Sequence, residues 1–143
     1  MAKINEKKRN KNWIWYGLGI ILIAAFSFYF MQPQTTTVEL PASVNVTQAS
    51  ELRNAGAFVL DVRQPEEWEQ VHIPDAVLIP LGELASRVDE VPKDQKILVV
   101  CRSGNRSQQG RDILLAAGFS EVTSMNGGVT LWQTAGFPVV SGP

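Results

Sequence analysis

Cys101 is the only cysteine among 143 residues, and it stands where an apolar run stops and a polar loop begins. Ile97, Leu98, Val99 and Val100 precede it, and Arg102, Ser103, Gly104, Asn105, Arg106 and Ser107 follow. Cysteine attacks as the thiolate, a form favoured by nearby cations and by the positive end of a helix. Arg102 and Arg106 are the cations, and Arg106 to Ala117, with Ile113, Leu114 and Ala117 at core spacing, reads as the helix. The unpaired N–H groups of its first turn would face whatever sits at the sulfur. The competing reading makes a lone cysteine a small core hydrophobe. The cationic, glycine-containing loop argues for the nucleophile.

The elements that must hold such a loop can be read outward from it. A continuous branched apolar run such as Ile97 to Val100 is the pattern of a strand buried on both faces of a parallel sheet. Phe58 to Val62, Val77 to Ile79 and Val122 to Met125 read as further strands, with Val44 to Val46 as a short one. Between them lie helical stretches. Thr47 is the expected cap of a helix running through Leu52 to Ala55 and ended by Gly56. Pro65 opens another, with Glu66 and Glu67 in its first turn, where the dipole favours acids. Leu81 to Val88 and Val129 to Thr134 complete the set. Strands alternating with helices make an α/β protein of parallel βαβ units with right-handed crossovers. Ligands bind such sheets beyond the carboxyl ends of the strands, which is where Cys101 lies.

Cys101 to Ser107 resembles the active-site loop of the rhodanese family, the single-domain sulfurtransferases. Asp61-Val62-Arg63, Glu66-Glu67-Trp68, His72-Ile73-Pro74, Ala76, Ile79-Pro80, Asn126-Gly127-Gly128 and Trp132 extend the likeness in the family's order. The resemblance implies a five-stranded parallel sheet with helices on both faces, and no cofactor. It implies that Cys101 is catalytic, taking a sulfane sulfur from a donor such as thiosulfate as a persulfide and passing it to a thiol, a protein thiol or cyanide. Arg102, Ser103, Gly104, Asn105, Arg106 and Ser107 would cradle the small anionic donor, with the two arginines steering it. Val71 and Asp75 stand where the family usually has glycines around its histidine. Phosphatases and arsenate reductases use related cysteine-loop chemistry, but their loop is one residue longer than the four residues between Cys101 and Arg106. A non-catalytic, membrane-tethered binding module is the third reading, and the intact loop argues against it.

Other polar residues carry two readings each. Asp61 and Arg63, at and just past a strand end, can reach the mouth of a site or can pin the following loop, with Glu66 and Glu67 as acids near Arg63. His72, the only histidine, is set among Val71, Ile73 and Pro74 as a turn residue; an ionised thiolate needs no base. Gly127 and Gly128 mark a tight turn, and Trp68 and Trp132 are core or rim aromatics. One cysteine and one histidine cannot make a zinc set, so no metal is expected.

Four segments divide the chain. Residues 1–12 hold Lys3, Lys7, Lys8, Arg9 and Lys11 against Glu6 alone. Residues 13–31 carry no charge and are long enough to cross a hydrocarbon core of about 30 Å as a helix. Trp13, Trp15 and Tyr16 at one end and Phe28 and Tyr29 at the other suit interfacial belts. No Lys or Arg follows until Arg53, so the basic flank stays cytoplasmic and the catalytic domain faces outward from the inner or plasma membrane as a single-pass protein. A cleaved signal peptide is the alternative, with Ala25 and Ser27 small enough for cleavage, but the apolar run continues through Met31. Residues 32–43 read as an extended linker, and residues 44–143 are the right size for one domain. With 13 basic and 14 acidic residues, the formal charge of −1 gives no reason to expect a nucleic-acid partner.

Overall fold

A computed structural model describes residues 40–143. The transmembrane helix read at 13–31, the basic flank and most of the linker lie outside the described residues. Among the described residues no helix is long and apolar enough to cross a membrane.

Five parallel strands form one sheet: β1 (Ser43–Val44), β2 (Phe58–Asp61), β3 (Val77–Leu78), β4 (Ile97–Val100) and β5 (Val122–Met125), in the order β1-β5-β4-β2-β3. β4 is central, with Asp61 level with Val100 on one side and Val99 level with Ser124 on the other. Side chains alternate along it as a strand requires. Ile97, Val99 and Cys101 pack with Leu60, Val62, Leu84 and Leu114 on one face. Leu98 and Val100 pack with Val59, Met125, Val129 and Trp132 on the other. All four β4 residues are buried, so the doubly covered strand expected from the apolar run is present.

The helices are α1 (Val46–Asn54), α2 (Pro65–Gln70), α3 (Leu81–Leu84), α4 (Asn105–Ala116) and α5 (Gly128–Thr134). α1 starts earlier than expected, and Thr47 is not its cap. Asn45 caps it, its side chain accepting from the Gln48 N–H at 2.9 Å while Gln48 returns a bond to the Asn45 N–H. Val46 is therefore a helical residue turned into the core rather than the end of a strand. α3 is also shorter than expected, giving way to a 3₁₀ turn at Val88–Glu90. The Ser86 hydroxyl donates to the Glu83 carbonyl at 2.8 Å, a local bond of the kind that competes with helix continuation. The linker ends sooner than residue 43. Pro41 and Ala42 accept hydrogen bonds from the Thr123 and Ser124 side chains, and Ser43 pairs with Ser124 in the sheet.

Candidate active site

Three strand ends converge at the carboxyl edge of the sheet: β2 delivers Asp61 and Arg63, β4 delivers Cys101, and β5 delivers the Asn126-Gly127-Gly128 turn. Cys101 is 1% exposed, and the Gly104 N–H points at its sulfur from 3.1 Å. The loop can turn that sharply because Gly104 takes φ +108°, a left-handed conformation, and a Cβ there would press on the Gly127 nitrogen at 3.2 Å. The buried Ser107 hydroxyl ties the loop to the helix by donating to the Gly104 carbonyl at 2.7 Å. Among the described residues, the N–H groups of Arg102, Ser103, Asn105, Arg106 and Ser107 find no protein acceptor. One loop amide, that of Gly104, therefore lies on the sulfur, and the neighbouring loop amides are without a protein acceptor among the described residues.

The far wall of the loop comes from α5. Its first amides donate outward, Val129 N–H to the Cys101 carbonyl at 2.8 Å and Thr130 N–H to the Arg102 carbonyl at 3.1 Å. That approach requires glycine at 128: a Cβ there would lie 2.3 Å from the Cys101 oxygen and 2.4 Å from the Arg102 carbonyl carbon. Gly128→Ala is expected to push the cysteine loop aside. Overpacking of this kind costs about 1–3 kcal/mol, and a misplacement of about 1 Å at a reacting group can cost about 10²-fold in rate. Thermal unfolding and turnover of the variant check both, and wild-type activity would show that the loop does not depend on this contact.

Asp61 and Arg63 form a buried ion pair, 0% and 2% exposed. The Arg63 guanidinium donates from Nε to both Asp61 oxygens at 2.9 Å and from Nη2 to Oδ2 at 2.7 Å. Its remaining donors reach the carbonyls of Glu67 at 3.3 Å and Val71 at 2.8 Å. Of the two roles open to this pair, the geometry is that of pinning: Arg63 fastens α2 to the end of β2. Its acid is Asp61 rather than Glu66 or Glu67. His72 is likewise built into the turn, its ring stacked on Trp68 at 3.7 Å between centroids and its backbone bridged to Val140. Trp132 is a core aromatic whose Nε1 donates to the Pro138 carbonyl at 2.8 Å.

α2, held in this way, presents Glu67 to the cysteine loop. Glu67 accepts from Arg106 Nη1 at 2.6 Å and Nη2 at 2.8 Å. Arg106 is therefore a paired cation, a contact the sequence does not disclose because the two residues belong to helices on different crossovers. Arg102 is exposed and makes no ion pair among the described residues. The Arg106 hydrogen bonds draw the Glu67 carboxyl down from 4.5 to about 2, against burial that pushes it up. A carboxyl lowered on folding stabilises the fold above its unfolded value, and that contribution is lost as pH falls. The Glu67 contribution is thus complete above pH 4.5 and disappears between there and about 2. Urea unfolding across this range should show a component of acid destabilisation in the wild type that Glu67→Gln lacks. Parallel profiles would mean that the pair contributes nothing.

The rhodanese-like domain profile matches residues 45–135. The chain belongs to the rhodanese-like family. It is similar to the thiosulfate sulfurtransferase GlpE of Pseudomonas syringae pv. syringae, with 42% identity over 61% of this chain and 82% of the relative. A sulfurtransferase of Allochromatium vinosum is 37% identical over 59% of this chain and 78% of its own length. Among solved structures, a rhodanese-related protein of Thermoplasma volcanium superposes with a TM-score of 0.65 at 33% identity, over 70% of this chain and 98% of that one. A rhodanese from E. coli solved with anions gives 0.53 at 32% identity, over 61% and 100%. This rhodanese-like domain has the five-stranded parallel sheet that the resemblance implied, and its cysteine loop lies at the central strand.

Proposed function

We propose that Cys101 carries sulfur as a persulfide. The chain is a transferase of the thiosulfate sulfurtransferase type. The Cys101 thiolate attacks the outer sulfur of thiosulfate; a bond forms between Sγ and that sulfur, the bond to the sulfonate sulfur breaks, and sulfite leaves with the electron pair. The persulfide then loses its outer sulfur to a thiolate or to cyanide, and the electron pair of the broken S–S bond returns to Cys101 as thiolate. The loop amides of Arg102, Ser103, Asn105, Arg106 and Ser107 bind the incoming anion, and the Gly104 N–H stays on Sγ throughout. The observation that carries this reading is the Gly104 N–H on the sulfur of a single cysteine at the end of the central strand, in a loop whose other amides find no protein acceptor among the described residues.

The test supplies thiosulfate and cyanide and follows thiocyanate and sulfite, in parallel with a phosphate ester. Equimolar thiocyanate and sulfite are expected. Hydrolysis of the ester with no thiosulfate turnover would assign the loop to phosphoryl chemistry instead.

Residues 13–31 are proposed as a single membrane span with the catalytic domain on the extracytoplasmic side, supported by the five cations before Trp13 and the absence of Lys and Arg from there to Arg53. A membrane-impermeant thiol reagent should label Cys101 in cells with the outer barrier opened and the inner membrane intact. Labelling only after lysis of the inner membrane would reverse the orientation.

A further inference from the structure

Glu67 is a carboxylate held in place from three sides. Its carbonyl accepts from Arg63 Nη1 at 3.3 Å, and its Oε2 accepts from the Gln64 N–H at 3.3 Å in the first turn of α2. From there it takes both terminal nitrogens of Arg106, at 2.6 Å and 2.8 Å, with Glu67 27% and Arg106 31% exposed. A forked pair of this kind is the strong form of an arginine–carboxylate contact, so an anion that used Arg106 would first have to displace the carboxylate. Those bonds chiefly, with weaker attraction from Cys101 and Asp61, raise the Arg106 pKa above its usual value, so the guanidinium stays charged within electrostatic reach of the sulfur. Three charged side chains line the cavity of about 220 Å³ beside the loop: Arg63, Glu67 and Arg102. Arg63 is cancelled by Asp61 and Glu67 by Arg106. Arg102, which makes no ion pair among the described residues, is the cation left uncompensated there. The two loop arginines of the sequence thus amount to one effective charge.

We propose that Glu67 is a positioning residue that sets donor specificity: it withholds the Arg106 charge from the cysteine loop and so fits the loop to sulfane donors that carry a single negative charge. The proposal rests on the persulfide reading of Cys101. A Cys101 thiolate beside Arg102 is formally neutral, and a second charge on the donor meets no second cation. Removing the Glu67 charge unveils Arg106 and favours a dianion over a monoanion of the same reactive group. Thiosulfate and methanethiosulfonate are such a pair. In either, the thiolate attacks the outer sulfur, a bond forms between Sγ and that sulfur, and the bond to the sulfonyl sulfur breaks. The electron pair leaves with sulfite from the first donor and with methanesulfinate from the second.

The full chain is assayed with each donor and cyanide as wild type, Glu67→Gln, Arg106→Gln and the double variant, and the readout is the ratio of kcat/KM for thiosulfate to that for methanethiosulfonate. Both donors are compared on one preparation, so a smaller folded fraction in a variant leaves the ratio unchanged. Glu67→Gln keeps the side-chain volume and one acceptor for Arg106, and it should raise the ratio about 10-fold, the order of one unit charge meeting another across partly solvated protein. The change should fall on the thiosulfate KM, because the charge acts alike on bound donor and departing sulfite. Arg106→Gln, which leaves Glu67 uncompensated, should lower the ratio by a similar factor, and the double variant should return it to the wild-type value. An unchanged or lowered ratio in Glu67→Gln, or a raised ratio that persists in the double variant, would overturn the role of Glu67 while leaving the persulfide standing. Absence of added sulfur in the mass of the wild type after either donor would remove the persulfide reading, and this one with it.

Discussion

Cys101→Ser is expected to leave a folded protein that moves no sulfur. Serine fills nearly the volume of the cysteine, which is 1% exposed on the α4 face of β4, and its hydroxyl can still accept from the Gly104 N–H that now faces Sγ. The fold loses little. On the proposed reading the chemistry loses its nucleophile, because the hydroxyl does not ionise near neutral pH and cannot hold a sulfane sulfur. Removing a nucleophile costs on the order of 10⁴–10⁶ in turnover. Thiocyanate formation should therefore fall to the uncatalysed level while the circular dichroism spectrum and unfolding midpoint stay near wild type. The chain has no second cysteine to substitute for Cys101 or to resolve its oxidised forms, so in the proposed cycle an external acceptor, a thiol or cyanide, takes the sulfur.

The largest expected loss of stability belongs to Asp61→Ala. Arg63 is 2% exposed and directs its guanidinium at Asp61, so the substitution leaves a buried cation without its counter-ion. Breaking such a pair costs about 3–5 kcal/mol, a large part of the roughly 5–15 kcal/mol that holds a domain together. The damage should also spread to the site, since Arg63 fastens α2 by the carbonyls of Glu67 and Val71, and α2 carries the carboxylate that holds Arg106. Urea unfolding should show the midpoint falling sharply. A loss below about 1 kcal/mol would mean that Arg63 finds water or another acceptor, since that is the range of an exposed pair.

How much of this was legible depends on whether the signal was local. β4 matches the run Ile97 to Val100 residue for residue, because a strand covered on both faces leaves an unbroken apolar stretch, and β5 matches Val122 to Met125 although its middle residues, Thr123 and Ser124, are buried polar ones. The start of α1 was missed by two residues because Asn45 and Thr47 are both competent caps, and only the burial of Val46 and the reciprocal bonds with Gln48 decide between them. The cysteine loop was legible as a loop with a helix after it. Its supports were not. Glu67 and Arg106 are both conspicuous in the sequence, but nothing local pairs them, and Arg63 offered Glu67 a nearer partner that the structure gives to Asp61 instead. The two glycines after β5 read as a turn, and only the closeness of Gly128 to the Cys101 and Arg102 carbonyls shows why a side chain at 128 cannot be accommodated.

The most direct measurement is the intact mass of the full chain after treatment with thiosulfate and removal of excess donor. One added sulfur, located on the peptide that contains Cys101 and lost on addition of cyanide, is the expected result. An unchanged mass under conditions in which thiocyanate is nevertheless formed would contradict a persulfide on Cys101.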